Sequence, residues 1–271
     1  MRSARLITAD RLAVVLVAHG SRDPRGAAAT EALARAVRRA RPSWDVHAAY
    51  LDHAGPRPLD VLAALPGRRA VVVPLLLTKA FHGRVDIPAV LEAAADLPVS
   101  VTPADVLGPT PPIAVPARPA PRFAARVAQP GAAGTVPSLL IEGLVRRLPA
   151  EGLDAVVLAA AGTRNAAARA TVEWAANALS ARLSLPCTVA YASAAPPLPG
   201  AAVDLLRASG ARRIGMSAYF LAPGYLYDVA ARSALEAGAV AVADPLTDAP
   251  ELAGLVAARV DEVATRTPAA A

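Results

Sequence analysis

Short apolar runs recur along the chain, separated by stretches whose apolar residues return every three or four positions. The first run, Leu12 to Ala18, has the length of a strand buried on both faces, and it ends in His19-Gly20. Pro24 and Gly26 open a helix near residues 25–40, with Leu33, Ala36, Val37 and Ala40 at helical spacing. A second strand is expected from Trp44 to Leu51. A short helix from Pro56 to Leu65 follows, broken by Pro66-Gly67. The third strand spans Ala70 to Leu77 and delivers the loop Phe81-His82-Gly83. Asp86 is placed to cap a helix running to about Ala95, and Val99 to Thr102 make a short fourth strand.

Strand and helix alternate with short connections. That predicts an α/β fold, a parallel sheet with helices on both faces. Such sheets bind ligands beyond the C-terminal strand ends, near the point where strand order reverses. His19 follows the first strand and His82 the third. In a flavodoxin-like order these strands are neighbours, so the two histidines share one cleft.

Residues 109–137 break the pattern. Prolines at 109, 111, 112, 116, 119, 121, 130 and 137 predict a stiff, extended insert or linker. Residues 138–148 return to helical spacing through Leu139, Leu140, Leu144 and Leu148. After Glu151 the first unit repeats. Gly162-Thr163-Arg164-Asn165 matches Gly20-Ser21-Arg22-Asp23, and Val189-Ala190-Tyr191 matches Ala48-Ala49-Tyr50. The run from Arg213 to Leu221 echoes the third strand, and the last helix, about Leu252 to Val263, echoes residues 138–148. The expected organisation is a tail (1–11), a first unit carrying the histidines (12–108), the insert (109–137), a helix and connection (138–151), a degenerate second unit (152–265) and a tail (266–271). Each unit is expected to be a flavodoxin-like parallel sheet. The copies differ at the histidines: His19 aligns with Ala161 and His82 with Leu226. Joint loss of both from one copy fits one working half and one scaffold half.

Composition narrows the classes. The chain has 271 residues and a net charge of +6, carried by 27 arginines and the single lysine Lys79. So much arginine, alanine and proline fits a coding bias, which weakens the charge as a sign of nucleic-acid binding. Aromatic residues are only 4%, too few for a base-stacking platform. No apolar run approaches the roughly 18 residues of a membrane span, and the N-terminus lacks the apolar core of a signal peptide. A cytoplasmic protein is expected. The one cysteine, Cys187, starts a strand and is expected to be a small core residue.

Two imidazoles facing one cleft can bind a divalent metal such as Co²⁺, Fe²⁺, Ni²⁺ or Zn²⁺. Two protein ligands leave positions open, which suits a metal in transit better than a closed structural site. A neutral imidazole also accepts protons near pH 7. Ser21 beside His19 lacks the Gly-x-Ser-x-Gly setting of a hydrolase nucleophile. His47 lies inside the second strand and is expected to be structural.

His19-Gly20-Ser21-Arg22-Asp23-Pro24, Pro74-Leu75-Leu76-Leu77 and Phe81-His82-Gly83-Arg84-Val85-Asp86-Ile87-Pro88 together resemble the sirohydrochlorin chelatases, in their fused two-half form. The resemblance covers residues 12–108 well and 152–265 more weakly. It implies ATP-independent insertion of Co²⁺ or Fe²⁺, with nickel left open, into a polycarboxylate tetrapyrrole for cobalamin or sirohaem biosynthesis. The absence of a phosphate-binding P-loop agrees, so no nucleotide is expected. His19 and His82 correspond to the family's metal-binding, catalytic histidines. Ser21, Arg22, Lys79 and Phe81 would meet the substrate. An acidic residue near the end of the second strand often joins the family site; Asp52 stands nearest, shorter than the usual glutamate. Arg25 and Arg84 also flank the histidines. A monomer is implied, because the fused halves already form a pseudo-dimer. The alternatives are a non-catalytic metal- or tetrapyrrole-binding protein of this fold, and a basic module for an unrelated anion.

Overall fold

The computed structural model of the chain describes residues 11–65, 67–78, 86–111, 135–149 and 151–266. The apolar runs pair as two parallel sheets. β1 (Ala13–Ala18), β2 (Asp45–Tyr50), β3 (Arg69–Pro74) and β4 (Ser100–Pro103) form one, in the order β2-β1-β3-β4. Between them run α1 (Pro24–Ala40), α2 (Pro58–Ala63) and α3 (Asp86–Ala93). β5 (Ala155–Ala160), β6 (Cys187–Tyr191), β7 (Ile214–Tyr219) and β8 (Ala241–Val242) form the second sheet, in the matching order β6-β5-β7-β8. Its helices are α5 (Ala166–Leu183), α6 (Pro199–Ala208) and α7 (Tyr225–Glu236). The tandem flavodoxin-like units inferred from the pattern are present. In each, strand order reverses between the first and third strands.

Strand alternation decides which side chain meets which layer. In β1, Val14 and Leu16 join the large core shared with the second unit. Val15 and Val17 face the opposite way, into a smaller cluster with Val61, Leu62 and Ile87 of α2 and α3. Both faces are dry, hence the continuous apolar run rather than an alternating one.

The pattern of residues did not reveal where the two remaining helices dock. α4 (Ser138–Arg147) follows the first sheet, yet packs against α5 and β7 of the second. α8 (Pro250–Arg266) follows the second sheet, yet packs against α1 and β3 of the first. The units thus exchange their final helices, and α4 and α8 pack on each other. Gly143 and Gly254 sit at this crossing: a Cβ on Gly143 would lie 3.5 Å from Glu251 of α8, and one on Gly254 3.4 Å from Leu139 of α4. Arg259 of α8 is 9% exposed and donates to the carbonyls of Val106 (3.0 Å) and Gly108 (3.4 Å), just beyond β4.

β3 stops at Pro74, three residues short of the expected Leu77. Leu75 N–H still reaches Val17 O (2.9 Å), but Leu76 N–H turns back onto Pro74 O (2.9 Å). The ladder with β1 therefore ends at Leu75. Residues 112–134 of the proline-rich insert lie outside the described residues; Thr110 and Thr135, near its ends, pair through two antiparallel N–H···O bonds of 3.1 Å. Cys187 begins β6 as expected, with its thiol pushed up to about 12 by burial. Among the described residues no helix is long and apolar enough to cross a membrane.

Arg259→Met should cost about 2–3 kcal/mol in urea unfolding, because it strips two buried carbonyls of their donor. A loss under about 0.5 kcal/mol would show that apolar packing alone holds the exchanged helix.

Candidate functional site

The first strand end is built around a glycine. Ala18 O accepts from Leu51 N–H (3.0 Å) and His19 O from Asp52 N–H (2.8 Å), which ties the His19 loop to the one after β2. Gly20 follows with φ +93°, and a Cβ there would fall 1.8 Å from Asp52 O. Only glycine fits both the backbone and the space. Asp23 then caps α1, accepting from Arg25 N–H (2.9 Å), and Ser21 Oγ accepts from Asp23 N–H (3.0 Å). The second unit repeats this turn. Ser193 N–H donates to Ala161 O (3.1 Å), and Gly162 has φ +99° with its missing Cβ 1.9 Å from Ser193 O. Asn165 caps α5 through Ala168 N–H (3.1 Å).

The two turns face each other across a cleft of about 410 Å³, within the range of small-molecule sites. The first unit contributes His19 and the segment Leu75 to Thr78. The second contributes Ala161, Thr163, Tyr191, Tyr219, Leu221 and Leu226, among others. One wall therefore carries an imidazole, while the other is almost wholly apolar. Tyr219 Oη donates to Leu77 O (3.1 Å) across the units; its burial drives the phenol pKa far up, so it stays a neutral donor. Gly108 shapes the same wall: a Cβ there would sit 1.7 Å from Leu77 O. A smaller cavity of about 170 Å³ lies on the other side of His19, between Ser21, Thr30 and the segment Leu221 to Pro223.

The electrostatics are local. Arg25 bridges the units, reaching Asp23 and Asp228 with contacts of 2.6 Å each. The Arg25 guanidinium holds the Asp23 carboxyl below the usual range, and the two carboxylates raise the guanidinium pKa. Asp52 is also held low, first by the His53 N–H on its carboxylate (2.8 Å), with the charges of His53, Arg57 and His19 adding to the effect. His53 folds back onto Asp52, with Nε2 3.3 Å from Oδ2.

Of the expected site residues, His19 and Ser21 line the cavities. Arg22 is exposed and outside both linings, as is Asp52, though Asp52 lies within electrostatic reach of His19. Lys79, Phe81, His82 and Arg84 lie outside the described residues. His47 sits in β2 beside Asp45 (3.0 Å), away from the cleft, as its strand position implied. Among the described residues, no three histidine, cysteine or carboxylate side chains gather in a way that could hold a metal. Sequence reasoning missed Tyr219, Gly108 and the Arg25–Asp228 pair. Each depends on a contact between segments far apart in the chain. Only Tyr191 left a signal, as the repeat partner of Tyr50.

Gly20→Ala should cost about 2–4 kcal/mol in urea unfolding, since it combines a strained φ with a direct clash. Gly67→Ala is the control, with φ +70° but no atom within 4 Å of a new Cβ, and should cost only about 1 kcal/mol. Equal losses would mean the close approach to Asp52 constrains nothing.

No curated protein matches the sequence. Among solved structures, SirB from Bacillus subtilis with Fe³⁺ aligns with TM-score 0.71 at 18% identity, covering 94% of this chain and 96% of that one. The sirohydrochlorin chelatase SirB from Bacillus subtilis subspecies spizizenii, in complex with cobalt, aligns with TM-score 0.71 at 16% identity and the same 94% and 96% coverage. CbiX, described as the terminal enzyme for biosynthesis of siroheme in denitrifying bacteria, aligns with TM-score 0.60 at 20% identity, covering 93% of this chain and 98% of that one. At these identities the structural likeness is one of fold. The CbiX family profile goes further, matching residues 13–116 and again 155–263, one match on each α/β unit. With both units accounted for in this way, the chain belongs to the CbiX family.

Proposed function

We propose that the protein is a sirohydrochlorin chelatase that inserts Co²⁺ or Fe²⁺ without ATP. The observation that carries this reading is the position of the repeat partners. Ala161 and Leu226, which replace the two histidines in the second unit, both line the central cleft. The repeat pairs His82 with Leu226 as it pairs His19 with Ala161, which supports a joint role for the two histidines. Residues 12–108 would then be the working unit and 152–265 the scaffold, with the cleft between them complete in one chain.

Insertion of a divalent metal into a tetrapyrrole releases two pyrrole N–H protons, so the site needs both a metal-holding group and a base. A neutral imidazole serves as either. His19 and His82 would present the metal with coordination positions left open for the macrocycle nitrogens. Asp52, kept ionised by His53 N–H, stabilises positive charge near His19. The apolar wall of Leu221, Leu226 and Tyr219 suits the face of a large conjugated ring. Ser21, Arg22, Lys79 and Phe81 remain the first-unit candidates for contact with the substrate. Both cobalt and iron accompany the solved relatives, and imidazole accepts either, so the metal is a matter for measurement.

Anaerobic absorbance of sirohydrochlorin with Co²⁺ or Fe²⁺ at catalytic protein amounts tests the reading. Wild type should metallate over many turnovers, and His19→Ala or His82→Ala should slow the rate by at least about 100-fold. Stoichiometric binding without turnover would instead make this a tetrapyrrole- or metal-binding protein. A gain-of-function variant probes the repeat argument separately. Ala161→His with Leu226→His should add a second Co²⁺ equivalent in calorimetric titration without tetrapyrrole; one equivalent would break the inferred pairing.

A further inference from the structure

The two units secure the chain after their third strands differently. In the second, backbone does it: Leu246 N–H donates to Phe220 O (2.9 Å) and Thr247 N–H to Leu221 O (2.9 Å). In the first, Leu107 N–H makes the matching bond to Leu76 O (2.9 Å), but no described backbone N–H reaches Leu77 O, the repeat position of Leu221. Gly108 stands where the second unit has Thr247, and it crowds that carbonyl: a Cβ there would fall 1.7 Å from Leu77 O. Leu77 is buried, so its carbonyl needs a partner from within the protein.

The partner comes from the other unit. Tyr219, the last residue of β7, is 3% exposed and donates from Oη to Leu77 O at 3.1 Å, across 142 residues of chain. The register of β1 with β3, and of β5 with β7, places Tyr219 at the repeat position of Leu75. Leu75 has no hydroxyl, so this tie runs one way only, from the second unit to the first. Gly108, packed on the same carbonyl, is itself held by Arg259 of α8, which donates to Gly108 O (3.4 Å). Leu75, Leu76, Leu77 and Thr78 are the first unit's share of the cleft wall with His19, and Tyr219 lines the cleft from the second. One buried hydrogen bond therefore joins the two walls at the cleft itself.

We propose that Tyr219 is a positioning residue: through its bond to Leu77 O, the second unit sets where the Leu75–Thr78 wall stands, and so how well the cleft fits a flat macrocycle. This rests on the chelatase reading for the identity of the ligand, but not for the positioning itself. The second unit then does more than cover the first. It supplies the side-chain donor that replaces a backbone bond its own strand end keeps, and that donor bears on the cleft wall rather than on the metal.

Tyr219→Phe keeps the ring that lines the cleft and removes only the hydroxyl. Hydrogen–deuterium exchange tests the positioning without substrate: the amides of residues 75–78 and of Leu107 should exchange about fivefold faster than in wild type. Tyr227→Phe is the control. It too takes a phenol donor from a carbonyl, Ala243 O (3.1 Å), but within the second unit, and should leave those amides unchanged. In anaerobic metallation, Tyr219→Phe should raise KM for sirohydrochlorin about fivefold, with kcat and Co²⁺ affinity within about twofold of wild type. Tyr227→Phe should leave KM where it is. A merely structural bond would lower Tm and the active fraction, and hence kcat, with KM unmoved. Unchanged exchange or an unmoved KM in Tyr219→Phe overturns the proposal and leaves the chelatase reading standing. If wild type itself does not metallate, the chelatase reading fails and the exchange result decides alone: faster exchange upholds Tyr219 as the residue that sets the wall, and unchanged exchange overturns it.

Discussion

The exchange of final helices holds the two units in one fixed relation. A parallel sheet must be covered on both faces, because its strands are apolar on both. Neither unit supplies enough helix of its own. α1 covers part of one face of the first sheet, and α8, arriving from the far end of the chain, covers the rest. α4 does the same for the second sheet beside α5. Each unit is thus dry only in the presence of the other. Arg259 adds a polar clasp, and Gly143 and Gly254 sit at the crossing of α4 and α8. The cleft lies between two bodies that share one core rather than between two loosely docked domains.

That relation sets the chemistry available. Two copies of the same strand-end turn face one another, so His19 and Ala161, which correspond in the repeat, both line the cleft. Two histidine-bearing copies would line it with four imidazoles. Here the second copy presents Ala161 and Leu226, and the cleft becomes one-sided. One wall carries the imidazole of His19, and the other is almost wholly apolar. Duplication followed by divergence separates roles that a symmetric site would have to combine. Arg25 marks the asymmetry again, bridging to Asp228 on one side while Ala167 stands at the repeat position.

The turn itself shows how strict the geometry is. Gly20 and Gly162 both take positive φ and both press against a carbonyl of the loop after the second strand, within 2 Å of where a Cβ would be. These glycines fix the distance between the end of β1 and the Asp52 loop. The backbone of His19, just before Gly20, is thereby held at the strand end. That explains how Ala161 can replace a histidine while its turn survives unchanged.

Much of this was legible in the residues. Continuous apolar strands, helical spacing, caps at Asp23 and Asn165 and the matching Gly-Ser/Thr-Arg-Asp/Asn turns are local signals, and they sufficed for two tandem parallel-sheet units and for His19 at a strand end. Local signals failed where distant segments meet. Nothing in the spacing of α4 and α8 says which sheet they cover, since either apolar stripe would fit either face. β3 looked longer than it is, because Leu75 to Leu77 are as apolar as a strand but turn out to line the cleft. The Tyr219–Leu77 bond and the Arg25–Asp228 bridge exist only once the units are packed. Sequence by itself determined the elements and the repeat, because those follow from short-range periodicity and backbone sterics. The tertiary structure alone decided which walls face each other, because that depends on burying apolar faces whose partners lie a hundred or more residues away.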